Sequence, residues 1–255
     1  MRIAALTRYP VKGLSGEALT QASLMAGDYF PGDRLYAIEN GPSGFDPADP
    51  RWAPKMRYLM LMRDERLAKV TTRYDDAATT LIVSKDGAEV ARGDLSTVEG
   101  RAAIAGFFAA LRRDDRGPTA TLAAPTGFRF TDSTKGFVSL INRASLDDLA
   151  GAIGRLVDPR RMRGNVLLDG MAPWEEFGLL GKTIAIGAAR LVVTKRIERC
   201  AATNVDPATG ERDMEIPATL MRRFGHMDCG VYARIKTAGL IRVGDEARPE
   251  QGAFA

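Results

Sequence analysis

The chain has 255 residues and a formal net charge of +4 with no dense Lys/Arg block, a balance that fits a small anionic ligand better than nucleic acid. Two cysteines cannot frame a disulfide scaffold or hold an ordinary iron–sulfur cluster, and a single histidine excludes histidine-rich zinc sites. The length allows one large domain or two small ones, each able to bury a core.

Met1 to Pro10 has no apolar core ahead of a small-residue cleavage site. No apolar run approaches the roughly 20 residues of a spanning helix. A cytoplasmic location without a membrane partner is therefore expected. Ile3 to Tyr9 reads as a first strand, and Pro10 to Gly16 leaves it as a turn carrying Lys12. Glu17 to Leu24 alternates as a second strand, and Arg34 to Ile38 follows the Gly32-Asp33 turn as a third, with Arg34 at its start. Residues 41–54 are rich in Gly, Pro, Ser and Asp and form a long loop, a kind of segment that often carries function. Met56 to Leu67 fits a helical face loosely and permits a strand. Strands over 68–74 and 79–84 precede the hairpin signal Asp86-Gly87. Ile104, Phe107, Phe108 and Leu111 place an amphipathic helix over 98–111.

Asp114 to Pro118 is the best boundary, which divides the chain into 1–117 and 118–255. Beyond it, Phe137 to Ile141 reads as a strand and Ser145 as the cap of a helix ending near Val157-Asp158-Pro159. Arg160, Arg161 and Arg163 then stand close together, and like charges so near one another call for a counter-ion or a bound anion. Thr183 to Ile186 and Ala189 to Ile197 read as paired strands. The second is β-branched and ends at Arg199-Cys200, after which Asp206-Pro207-Ala208-Thr209-Gly210 marks a turn. Met214 to Arg223 reads as a short helix, and 231–235 and 240–245 as closing strands.

Cys200 thus lies between a rigid strand and a tight loop, near Lys195, Arg196, Arg199 and Arg212. Positive charge favours thiolate, the form that binds metal or attacks substrate. Both a structural and a functional cysteine remain open at this point, and a thiol-dependent hydrolase pairing a cysteine with His226 is a third reading.

The run Arg199-Cys200 with Thr203 to Gly210 resembles the signature of the MOSC family, named for the molybdenum cofactor sulfurase C-terminal domain. Tyr9-Pro10-Val11-Lys12, Gly32-Asp33-Arg34, Arg163 to Gly170, and Gly230 to Asp245 resemble further family motifs in the family's order. The layout is similar to the two-domain branch of amidoxime-reducing components and their bacterial relatives. The resemblance implies an α+β, mainly β fold: a β-rich N-terminal domain followed by a MOSC β-barrel with a few peripheral helices. It also implies a molybdenum–pyranopterin cofactor with Cys200 as metal ligand. Lys12, Arg34, Arg163, Asn165 and Arg199 would lie around the cofactor, and Asn142 stands where relatives carry a cofactor-contacting serine. The implied activity is reduction of N-hydroxylated or N-oxygenated small molecules with electrons from a separate protein. The alternative is a non-enzymatic cofactor carrier or sulfur-transfer module using Cys200. Cys229 matches no ligand position and reads as a small buried residue.

Overall fold

The computed structural model describes residues 1–112, 117–134 and 138–250. Its strands and helices in chain order are β1 (Arg2–Arg8), β2 (Glu17–Leu19), β3 (Gln21–Leu24), β4 (Tyr36–Ile38), β5 (Val70–Asp75), β6 (Thr80–Lys85), β7 (Ala88–Asp94), α1 (Val98–Leu111), β8 (Thr121–Ala123), β9 (Val138–Asn142), α2 (Arg143–Ile153), β10 (Val166–Asp169), β11 (Thr183–Ile186), β12 (Ala189–Glu198), α3 (Ile216–Phe224), β13 (Asp228–Thr237), β14 (Gly239–Arg242) and β15 (Ala247–Pro249). The protein is mainly β, as the α+β reading expects, and three α-helices lie beside the sheets among the described residues.

The principal sheet is curled and runs β15-β11-β12-β13-β9-β10-β1-β2. Its pairs are antiparallel except β9 with β10, which α2 connects as a crossover helix. Alternation along these strands turns Ile3, Leu6, Leu140, Val166, Leu168, Leu191, Val193, Val231 and Ala233 into one buried core. A second core lies where α1 covers β5-β6-β7, with Ile104 and Phe108 inserted beside Leu81 and Val83. Thr97 caps α1 by accepting from Gly100 N–H at 3.0 Å, so the helix begins where its apolar period begins.

Hydrogen bonding crosses the division proposed at 117/118. Strand β1 pairs with β10 through Leu6 and Val166, and β14 pairs with β3 through Ile241 and Ala22. The units 1–117 and 118–255 are thus a proposal about the chain, whose first strand lies in the sheet of its second half. Of the boundary motif, residues 113–116 lie outside the described residues, as does Phe137 of the expected strand.

Four local expectations need correction. The strand over 17–24 breaks at Thr20, and its halves enter different sheets. Met56 to Leu67 is neither helix nor strand but two 3₁₀ turns, Lys55–Arg57 and Glu65–Lys69, the second capped by Asp64. Arg34 precedes β4 with φ of 50° instead of starting a strand. Helix α2 begins earlier than Ser145, because Asn142 Oδ1 accepts from Ala144 N–H at 3.1 Å and serves as the cap, and it ends at Ile153, before the left-handed Gly154.

Candidate functional site

Strand β12 delivers Cys200 to the wall of a cavity of about 700 Å³. The strand stops at Glu198, and Arg199 N–H still bonds the carbonyl of Met227 at 2.8 Å, so the backbone leaves the sheet already fixed. Cys200 is extended, and its carbonyl accepts from Thr203 N–H at 3.0 Å and Thr203 Oγ1 at 2.9 Å as a 3₁₀ turn begins at Ala201. These bonds occupy the main chain and leave the half-buried thiol unbridged. Cys229 contrasts with it: the residue is fully buried and burial pushes its thiol up to about 12, with Arg199 pulling the other way.

The cavity gathers residues from distant parts of the chain: Lys12, Arg34, Arg163, Asn165, Arg199 and Cys200 all line it. Lys12 is held between β1 and β4 by its N–H on the Tyr36 carbonyl at 2.8 Å. Its Nζ bonds the carbonyl of Phe130 at 3.0 Å, pairs with Asp132 and sits 5.8 Å from the Tyr58 ring. Burial lowers its pKa, and Asp132 offsets part of that effect. The next residue must be glycine, because Gly13 has φ of +83° and a Cβ there would meet the Leu59 carbonyl at 2.4 Å.

Arg34 and Arg163 form the most strongly charged part of the lining. Both adopt left-handed backbone, with φ of 50° and 51°, and both guanidinium groups sit over the Tyr9 ring at 4.5 and 4.4 Å. Arg34 pairs with buried Asp33 and donates to the Arg163 carbonyl at 3.2 Å. Burial works against its charge, but Asp33 outweighs burial and raises its pKa. Arg163 has no such partner. It donates to the Leu14 carbonyl at 2.6 Å, while its Nη2 is buried with no hydrogen-bond partner among the described residues. Burial, then the charge of Arg34, pull its pKa down to about 10. An unpaired guanidinium donor held against a second cation is a site prepared for an anion.

The other expected residues divide. Arg199 borders the cavity, but its guanidinium is used by the carbonyls of Cys229 and Met162, the latter at 2.8 Å. Asn165 also borders it, with Oδ1 accepting from Ser139 N–H at 3.0 Å and Ser139 Oγ at 2.8 Å and Nδ2 donating to the Thr7 carbonyl at 3.2 Å. Both therefore brace the wall through bonds they already make. Asn142 is absent from the lining: it caps α2 and donates to the Ala172 carbonyl at 2.8 Å and Glu176 Oε2 at 2.9 Å. In the arginine cluster, Arg160 pairs with Asp158, and buried Arg161 pairs with Asp206 and Asp213, each at 2.8 Å. Arg161 Nε and Arg163 Nη2 are both buried without a hydrogen-bond partner, but among the described residues only Arg163 of the three lacks a carboxylate partner.

Sequence reasoning missed the ring of Tyr9 as the shared seat of two arginines, Asp132 as the partner of Lys12, and the apolar residues 52–62 along one cavity wall. The turn at Asp206–Gly210 does not line the cavity. Asp206 Oδ1 closes it by accepting from Ala208 and Thr209 N–H at 2.8 and 2.9 Å, and a Cβ at Gly210 would lie 3.0 Å from the Glu65 carbonyl oxygen. Its task is to reverse the chain and seat it on the N-terminal half. Among the described residues no cluster of three or more His, Cys, Asp or Glu side chains could hold a bare metal ion. A metal at Cys200 would need most of its ligands from a cofactor, and the cationic lining fits an anionic one.

A model of the MOSC N-terminal beta barrel domain matches residues 1–113, and a model of the MOSC domain matches residues 128–248. The chain belongs to the MOSC-domain family. Over 118 residues, 42% of the chain, it is 28% identical to a stretch covering 34% of mitochondrial amidoxime-reducing component 1 of Mus musculus. Over 107 residues, 36% of the chain, it is 35% identical to a stretch covering 13% of the molybdenum cofactor sulfurase of Anopheles gambiae. The matched stretches are thus about a third or less of those relatives' lengths. Among solved structures, the YUAD protein of Bacillus subtilis aligns over 98% of this chain and 96% of its own at 11% identity and a TM-score of 0.45. YiiM of Geobacillus stearothermophilus aligns over 46% of this chain and 55% of its own at 17% identity and a TM-score of 0.37. Among the described residues of this MOSC-family chain, no helix is long and apolar enough to cross a membrane.

Proposed function

We propose that the protein is a molybdenum-cofactor-dependent reductase of N-hydroxylated or N-oxygenated small molecules. The observation that carries this reading is the single cavity in which the half-buried Cys200 thiol meets Lys12, Arg34 and Arg163. Arg163 Nη2, buried and unpartnered, together with Arg34 and Lys12, would hold the anionic part of a molybdenum–pyranopterin. Cys200 would supply the protein thiolate to the metal, and Asn165 and Arg199 would brace the backbone on which those groups stand. When bound, the cofactor supplies the two-electron couple. The net reaction breaks the substrate's N–O bond with two electrons and two protons and releases water, the electrons coming from a separate donor protein. The chain's own share is binding, orientation and a cationic field around the site.

The test is molybdenum and pterin content of protein purified from a cofactor-competent host, followed by amidoxime reduction with a chemical donor. Near-stoichiometric metal is expected, Cys200→Ser abolishes reduction, and Cys229→Ala keeps most of it. Metal-free protein with Cys200 intact overturns the reading. The similarity to a protein named molybdenum cofactor sulfurase favours a second one, a carrier or sulfur-transfer module. Persulfide on Cys200 without reductase activity under any donor would select it.

A further inference from the structure

The cavity has two unlike walls. One carries Cys200 and the cations described above. The other comes from the segment 52–62, where the cation Lys55 stands among the apolar Trp52, Pro54, Met56, Met60, Leu61 and Met62. Two of these residues stay partly in water: Trp52 is 48% exposed and Met56 42%. Large apolar groups left wet on a surface gain free energy when another apolar body covers them.

The chain on either side of Trp52 is anchored at Phe45 and at 57–59. Phe45 packs against Phe128 and Phe130 with ring centroids 5.6 and 5.0 Å apart, and Tyr58 meets Phe130 at 5.4 Å. Asn40 N–H bonds the Arg57 carbonyl at 2.9 Å, and Leu59 N–H bonds the Ile38 carbonyl at 2.8 Å. The backbone is thus held at 57 and 59, next to the rim, and methionine adapts its shape to what it touches. Basic side chains outnumber acidic ones in the cavity lining, so a cationic ligand is disfavoured at this mouth.

We infer that Trp52, with Met56 and Met62 beside it, is a specificity-determining lip that selects substrates whose N-oxygenated group is carried on a neutral aromatic or alkyl body. For turnover the inference rests on the reductase reading above; for binding it stands on the wall alone. The test pairs two amidoximes with the same reactive group and different bodies, benzamidoxime and acetamidoxime, on the cofactor-loaded protein. Trp52→Ala is expected to raise KM for benzamidoxime about tenfold, equivalent to ~1.4 kcal/mol, with kcat and the acetamidoxime KM nearly unchanged. Trp52→Phe should restore most of the discrimination. Equal changes for both compounds, or none, would overturn the lip.

A second readout does not need turnover. The chain has two tryptophans, so the fluorescence difference between the wild type and Trp52→Ala reports Trp52. Benzamidoxime should shift that signal saturably, and acetamidoxime at the same concentration should not. If neither amidoxime is reduced, the reductase reading fails, and this titration alone decides the lip: a saturable shift with benzamidoxime supports it, and its absence sinks it.

Discussion

Arg161 and Arg163 stand two positions apart and face opposite energetic situations. Arg161 is buried and paired with two carboxylates, so removing it strands Asp206 and Asp213. Arg161→Met should cost about 3 kcal/mol, because breaking a buried pair leaves uncompensated charge. Arg163 is held with one donor unpaired and a second cation nearby, so its charge opposes folding, while its bond to Leu14 and its seat on Tyr9 support it. These terms are each about 1 kcal/mol and opposed in sign. Arg163→Met should therefore shift the melting temperature by less than roughly 3 °C yet sharply reduce pterin content. A large fall in stability with unchanged pterin content would show that Arg163 is structural. The same contrast says what could be read from the sequence here. A cluster of three arginines announces an anion, but which of them lacks a carboxylate depends on Asp158, Asp206 and Asp213, and only the last two's folded positions reveal that the charge of Arg161 is already paired.

Helix α1 packs on β7 through two glycines. A Cβ at Gly93 would meet the Gly100 carbonyl at 2.2 Å, and one at Gly100 would meet the Asp94 carbonyl at 2.0 Å. Gly106 lies on the same helix with nothing within 4 Å of its would-be Cβ. Gly100→Ala should destabilise by several kcal/mol or move the helix, whereas Gly106→Ala should stabilise by about 0.5–1 kcal/mol through helix propensity. Urea unfolding of the two variants checks both, and equal effects would contradict the close approach. Helix α1 was legible to the residue because its apolar period and its cap agree. Helix α2 was misplaced at its start because Asn142, not Ser145, caps it, and at its end because left-handed Gly154 stops it short of Val157. Buried Glu176 accepts from both Ser145 Oγ at 2.8 Å and Asn142 Nδ2 at 2.9 Å, which leaves Asn142 Oδ1 to cap the helix, and neither contact is local in sequence. Strand β12 and the Cys200 turn were readable because a β-branched run stops just before Cys200 and Pro207 and Gly210 mark the turn beyond it, but the docking of that turn on Glu65 was not.

At the scale of the whole molecule, the two halves share one sheet. Strand β10 lies between β9 and β1, so a fragment of 118–250 lacking 1–112 would expose a bare strand edge beside Val166 and Leu168. Expressed alone it should aggregate or bind a hydrophobic dye, and co-expression with 1–112 should recover soluble protein. A stable, well-dispersed fragment would show that β1 is dispensable. The cavity depends on the same arrangement, since Lys12 and Arg34 come from one half and Arg163 and Cys200 from the other.

Arg212, just beyond the Cys200 turn, reaches back to the apolar wall and donates to the carbonyls of Leu61 at 3.1 Å and Met62 at 2.9 Å. Carbonyl oxygens are present whatever side chain a position carries. The tether that keeps the wall beside the thiol is thus indifferent to the identity of residues 61 and 62, and those positions are free to be exchanged without loosening the attachment. A scaffold of this kind can change its clientele by altering side chains at the mouth while the chemistry below stays where it is.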